Sequence, residues 1–297
     1  MIEAIGFGIS VLSLGSLYAL MALGLVLVYG ILKLVNFAYG ELVMIAGYTL
    51  FLLNGSPLPW FVMAVLAILA AIAASILTER IAFRPIRDTS LTAMLITSFA
   101  VSTLFQNAAL LLISPRARVV PLPDMFSTSI EVAGILVQIR DILAVVVTMV
   151  MLGLLTLVLN RTVLGIALRA AADNLKMTRL LGVPANLVIS TAFAISGLLA
   201  GTVALFWLGR TASVTPGIGL EPLIVAFVAT VLGGLNSLVG SVVGGYVLAL
   251  MTVGINSFLP QEFVDYRQAF TFGLVILVLL IRPEGLIRSR SGRSSGL

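Results

Sequence analysis

An all-α, polytopic membrane protein with about eight to nine transmembrane segments, some of them broken or re-entrant, is the fold class this sequence predicts. Three observations lead there. Of the 297 residues, 60% are hydrophobic and 10% charged, and the mean hydropathy is +1.19, a balance that leaves little chain for a soluble domain. Apolar runs long enough for a bilayer core of about 30 Å follow one another along the chain. The breaks between them alternate in basic content, as expected of loops on opposite sides of a membrane.

Taken in order, the spans fall near 9–30, 40–53, 58–78, 91–113, 141–159, 186–207, 222–234, 238–258 and 268–281. The opening residues carry Glu3 and neither Lys nor Arg, so they read as the start of the first span rather than as the basic leader of a signal peptide. The second and seventh spans hold only about 14 and 13 residues, too few to cross alone, which marks each as broken, re-entrant or sheltered. Between the fourth and fifth spans, 114–140 is the longest loop of its side. Its end, "SIEVAGILVQI", alternates apolar and polar residues around Ala133-Gly134 and predicts a small hairpin, read as a cap over helix ends or a contact surface. Residues 1–288 form one transmembrane domain, and the Ser/Gly-rich, basic 289–297 reads as a disordered cytoplasmic tail.

Basic residues orient the chain. Lys33, Arg80, Arg84, Arg87, Arg161, Arg169, Lys176, Arg179, Arg282, Arg288, Arg290 and Arg293 share one set of breaks and the tail, while Arg116, Arg118, Arg140, Arg210 and Arg267 occupy the other set. The richer set marks the cytoplasm, placing the N-terminus outside and the C-terminus inside, provided both short segments cross.

Several function classes are excluded by composition. With no Cys and no His, the chain lacks thiol nucleophiles, zinc fingers and an imidazole base. Neither Lys33 nor Lys176 sits in a phosphate-binding loop, so any ATP must be held by another chain, and no cofactor of its own is expected. The net charge of +5 is accounted for by membrane orientation, without an aromatic-basic patch for nucleic acid.

Inside, "NRTVLGIALRAAADNLKMTRLLGVPAN" predicts a short amphipathic helix in a segment of about 165–184. Ala171, Leu175, Leu180 and Leu181 supply its apolar side, Asp173, Lys176 and Arg179 its polar one, and Gly182 with Pro184 ends it. Such a helix either docks on a partner and transmits force or lies on the headgroups.

Here a resemblance becomes specific. "ALRAAADNLKMTRLLGV" resembles the cytoplasmic coupling segment of the inner-membrane permease family of ABC importers for branched-chain amino acids. "GSLYALMALGLVLVYGILKLVNFAYGELVMIAGY", "ERIAFRPIR", "VLGGLNSLVGSVVGG" and "FGLVILVLLIRPEGL" resemble, in order, further stretches of its H-type members. Tyr39 stands where that family usually has a histidine. The resemblance implies a permease subunit in the cell (inner) membrane working with a second related permease, two cytoplasmic ATPases and an external solute-binding protein. Arg169, Ala171, Asp173, Arg179, Leu180 and Gly182 would then form the ATPase-coupling surface. An ion-gradient-driven carrier or facilitator of small solutes is the alternative.

The most informative break is "LVNFAYGELVMIAGY" at 34–48. Glu41 falls in the first turn after Tyr39-Gly40, where it either caps helix N–H groups near the inner face or, with Asn36, lines a polar path. Asn36, Phe37, Tyr39, Gly40, Glu41, Gln106, Asn107 and Asn236 are therefore the candidate pathway residues, with Asn256 a weaker one. "NFAYG" at 36–40 and "NSLVG" at 236–240 each follow an apolar run and precede a helix, which suggests paired breaks. Small residues at Ala192, Ser196 and Ala200, with Gly197 and Gly201 alongside, and at Gly240 and Gly244, predict close helix packing.

Overall fold

The computed structural model describes residues 2–287 other than 121, 133–134 and 236. The tail at 289–297 therefore lies outside the described residues, as does Asn236. Among the described residues ten α-helices follow in order: α1 Ile2–Leu32, α2 Tyr39–Leu53, α3 Trp60–Thr78, α4 Leu91–Leu112, α5 Ile139–Arg161, α6 Val163–Leu180, α7 Ala185–Thr211, α8 Leu220–Gly233, α9 Leu238–Phe258 and α10 Arg267–Ile281. Many of these segments are rich in Val and Ile, which favour strands in water, yet in lipid a helix is the way an isolated span satisfies its own backbone.

Among the described residues, seven helical stretches are long and apolar enough to cross a membrane, the last being Gln261–Ile281, where a 3-10 turn runs straight into α10, and α2 and α8, at 15 and 14 residues without such an extension, are the two short apolar ones. At 1.5 Å per residue each reaches only about 21–22 Å. The predicted spans and the two predicted exceptions thus coincide with observed helices, and this is an all-α membrane fold. Helices α1 and α7 run through the interior, α1 against α5, α7, α8 and α9, and α7 against α2 and α3. The outer helices turn large apolar side chains such as Phe61, Leu111 and Leu280 outward, as lipid-facing helices do.

Small residues set the closest approaches. A Cβ on Gly244 would fall 2.1 Å from the Ala229 carbonyl oxygen of α8, and one on Gly245 2.6 Å from the Ala19 nitrogen of α1. On α7, Cβ atoms at Gly197 and Gly201 would meet the α3 backbone at Ala71 and Ile68 at 2.8 and 2.9 Å. Only glycine permits these backbones to touch.

The long loop forms the predicted hairpin, with β2 Ser129–Val132 antiparallel to β3 Ile135–Gln138. Upstream, β1 Arg118–Val119 pairs with β4 Ser213–Val214 just beyond α7, and Phe126 sits against Trp60 and Phe206. The loop therefore caps the helix ends at this side, here termed the hairpin end. The opposite side carries α6 and is termed the α6 end.

Candidate functional site

Helix α1 ends at Leu32, and residues 33–38 fold back before α2 begins at Tyr39. Asn36 is buried and its Oδ1 accepts the Ala38 N–H at 3.1 Å, which holds this turn. Phe37 stacks on Phe99 of α4 with ring centroids 3.9 Å apart. Tyr39 is buried, its hydroxyl lacking a partner and lying where a Cβ on Gly24 would be.

Glu41 is 1% exposed. Its Oε1 accepts Ser102 Oγ–H at 2.9 Å and Gln106 Nε2–H at 2.7 Å, both from α4, while Oε2 has no partner among the described residues. Ser102 lies near the middle of the 22-residue α4, about 15 Å of helix from either end, so Glu41 sits at mid-depth of that helix. This corrects the capping expectation. The side chain does not serve N–H groups near the inner face: its bonded oxygen is taken by two donors of α4, and α2 has no side-chain cap. Asn107 does not join the cluster. It is exposed and its Nδ2 donates to the Thr103 carbonyl of its own helix, since one step of α4 past Gln106 turns it about 100° away.

The break at Gly40 has a partner, but not the expected one. A Cβ on Gly40 would lie 2.0 Å from the Gly219 carbonyl oxygen, and one on Gly219 2.6 Å from the Gly40 carbonyl carbon. The two short helices α2 and α8 thus begin side by side where their backbones touch, within protein rather than lipid, which is what permits irregular backbone at this depth. The 234–240 break instead receives the chain after α10: Leu286 and Ile287 donate their N–H groups to the carbonyls of Leu232 and Gly233.

At the α6 end the 165–184 segment differs from the single amphipathic helix expected of it. Asn174, at φ −155° and ψ 98°, breaks α6, and its Oδ1 accepts the Met177 N–H at 3.0 Å, capping a second short helix. The break divides the predicted apolar side. Ala171 is buried inside the chain, whereas Leu180 and Leu181 are 81% and 82% exposed. Gly182, at φ +83°, ends the segment in the left-handed conformation that side-chain-bearing residues rarely adopt. Arg169 donates to Asn160 and Arg179 to Asp88, while Asp173 is exposed.

Behind this segment lies a network that sequence reasoning missed. A π-helical turn at Glu79–Phe83 follows α3, and buried Glu79 accepts Arg84 Nε–H at 3.3 Å and Ser190 Oγ–H at 2.6 Å. Arg87 donates to Asn186. The exposed tip of α6, through Arg179 and Asp88, is therefore tied to the loop that joins α3 to α4 and to the start of α7.

With this geometry in view, comparison with known proteins is direct. The family of branched-chain amino acid transport system / permease components matches residues 8–279. The chain belongs to this family. The permease is similar to BraD of Pseudomonas aeruginosa, a high-affinity branched-chain amino acid transport system permease protein, at 37% identity over 93% of each chain. It is 33% identical to LivH of Escherichia coli K12, a protein of the same description, over 93% of this chain and 92% of LivH. A stretch covering 37% of the permease is 29% identical to the fructose import permease FrcC of Rhizobium meliloti. No solved structure matches it.

Ser102 was also missed, although its i, i+4 spacing to Gln106 places both on one face of α4. Gly219 carried a fainter signal, the "TPGIG" turn ahead of a span too short to cross.

Proposed function

We propose that this permease carries leucine, isoleucine, valine or similar hydrophobic amino acids into the cytoplasm as a membrane subunit of an ABC importer. It sits in the cell (inner) membrane with the hairpin end outside and the α6 end in the cytoplasm. Its partners are a second related permease, two cytoplasmic ATPases that hydrolyse the ATP, and an external solute-binding protein that delivers cargo. The chain itself catalyses no covalent chemistry and needs no cofactor. The names of its relatives support the substrate class.

One observation carries the ATP-driven reading. Leu180 and Leu181 stand exposed on a capped helical tip in a loop rich in basic residues, and that tip is tied by Arg179 and Asp88 to the loop between α3 and α4, whose Arg84 and Arg87 in turn reach Glu79 and the start of α7. A motor docked there would move the spans, opening a path near the Gly40–Gly219 contact beside Glu41, with Asn36, Phe37, Tyr39 and Gln106 around it. A gradient-driven carrier is favoured by one feature, the mid-depth carboxylate of Glu41 with an unpartnered oxygen. Reconstitution into vesicles separates the two readings. Leucine uptake that requires internal ATP and the ATPases, and persists without ion gradients, is the expected result, while uptake by the permease alone down a proton or sodium gradient contradicts it.

A further inference from the structure

A cavity of about 500 Å³ opens among α1, α7, α8, α9 and α10, distinct from the Glu41 cluster. Its volume falls within the range of small-molecule sites, roughly 300–1,000 Å³. Leu14, Ile224, Val225, Leu248 and Phe272 supply apolar walls. Two side chains of opposite charge also line it: Glu221, in the first turn of α8, and Arg267, the first residue of α10. Although they share one cavity, they form no ion pair with each other, and neither has a hydrogen bond or ion-pair partner among the described residues. Arg210, in the same wall, is different. It is already engaged by Asp141 and Ser13, both at 2.8 Å.

A cavity with apolar walls, one unpaired carboxylate and one unpaired guanidinium matches a ligand with the same three parts. We propose that it is a zwitterion site on the permease itself, in which Glu221 takes the ammonium and Arg267 the carboxylate of a small hydrophobic amino acid. This rests on the amino-acid-import reading above and deepens it. Leu220 and Glu221 directly follow Gly219, so the site adjoins the place where α2 and α8 begin, and cargo held there is next to the contact that must open. Arg267 presents planar, paired donors suited to a carboxylate, and Glu221 offers acceptors to an ammonium.

The test measures binding of tritiated leucine to the whole complex, without the external binding protein, in phosphatidylglycerol nanodiscs that contain no zwitterionic lipid. Wild-type complex binds leucine, and Glu221→Gln and Arg267→Gln each weaken binding about tenfold or more through loss of one charge-assisted contact. Two competitors resolve the roles. Isoamylamine, which lacks the carboxylate, still competes in Arg267→Gln but not in Glu221→Gln. Isocaproate, which lacks the ammonium, shows the reverse. Glu262→Gln, outside the cavity, binds as wild type, and equal co-purification of the ATPases verifies that the variants assemble. Absence of leucine binding to the wild type, unchanged binding in both variants, or loss of both competitors alike in each variant overturns the site. Uptake by the same complex with ATP and its binding protein is read separately. Its absence sinks the import reading, whereas intact uptake with unchanged binding in both variants sinks this site alone.

Discussion

Glu41 is the residue at which burial and chemistry conflict most sharply, since a carboxylate at mid-depth of the bundle is supported by two donors among the described residues, Ser102 and Gln106. Replacing it by Gln keeps an acceptor for those donors, so Glu41→Gln should lower stability only modestly and leave uptake largely intact. Glu41→Leu should cost more, on the order of 1–3 kcal/mol for each donor left buried without a partner. Part of that loss should return in Glu41→Leu/Gln106→Leu, which removes one orphaned donor as well. Denaturation midpoints of the purified variants, with uptake measured alongside, check this. If Glu41→Gln abolishes uptake in a protein that still assembles, the charge itself is required and the gradient-driven reading gains.

At the scale of elements, the contact between the starts of α2 and α8 is the tightest constraint near the proposed path. Gly40→Ala would place a methyl 2.0 Å from the Gly219 carbonyl oxygen, and backbone cannot swing aside as a side chain can. An overpacking cost of about 1–3 kcal/mol or more and a marked loss of uptake are expected. Gly153→Ala on α5 meets nothing within 4 Å and should be neutral in both assays. Thermal stability of the two variants, measured in parallel, decides the point.

The helices themselves were legible because hydropathy and length act locally: all nine predicted spans coincide with helices, and the two short ones were recognisable by length alone. The pairing of breaks was not legible. "NFAYG" and "NSLVG" look alike in sequence, but the three-dimensional partner of Gly40 is Gly219, and the chain after α10 occupies the other break. Of the predicted pathway residues, Asn36, Phe37, Tyr39, Gly40, Glu41 and Gln106 gather around one turn and its α4 neighbours, while Asn107 turns away. Within α6 the division of apolar residues depends on the backbone of Asn174, a dihedral that periodicity does not encode.

At the scale of the whole molecule, a wired tip at one end and a capped, cavity-bearing surface at the other suit a permease moved from its cytoplasmic side. Orientation is checked by single cysteines, since the native chain has none. Cysteine at Asp124, beside the hairpin, should react with an impermeant thiol reagent in intact cells, while cysteine at Arg84 should be shielded. Labelling of position 84 from outside would reverse the orientation.

The central claim is that the exposed tip of α6 receives an ATPase. Leu180→Asp places a carboxylate on that tip, and burying it unpaired against a partner costs several kcal/mol, about a hundredfold or more in association. Gly182→Trp forces a bulky residue into a left-handed turn and adds a ring beside the contact, although the space around Gly182 within the chain is open. Neither change touches a span, so the permease should still insert and fold. The decisive measurement is co-purification of the ATPase subunits together with leucine-stimulated ATP hydrolysis in reconstituted vesicles, with exposed Glu131→Gln in the hairpin at the other end as the reference. Loss of both in Leu180→Asp and Gly182→Trp, with normal membrane insertion, is the predicted result, and wild-type co-purification and coupled uptake in both variants would contradict the account.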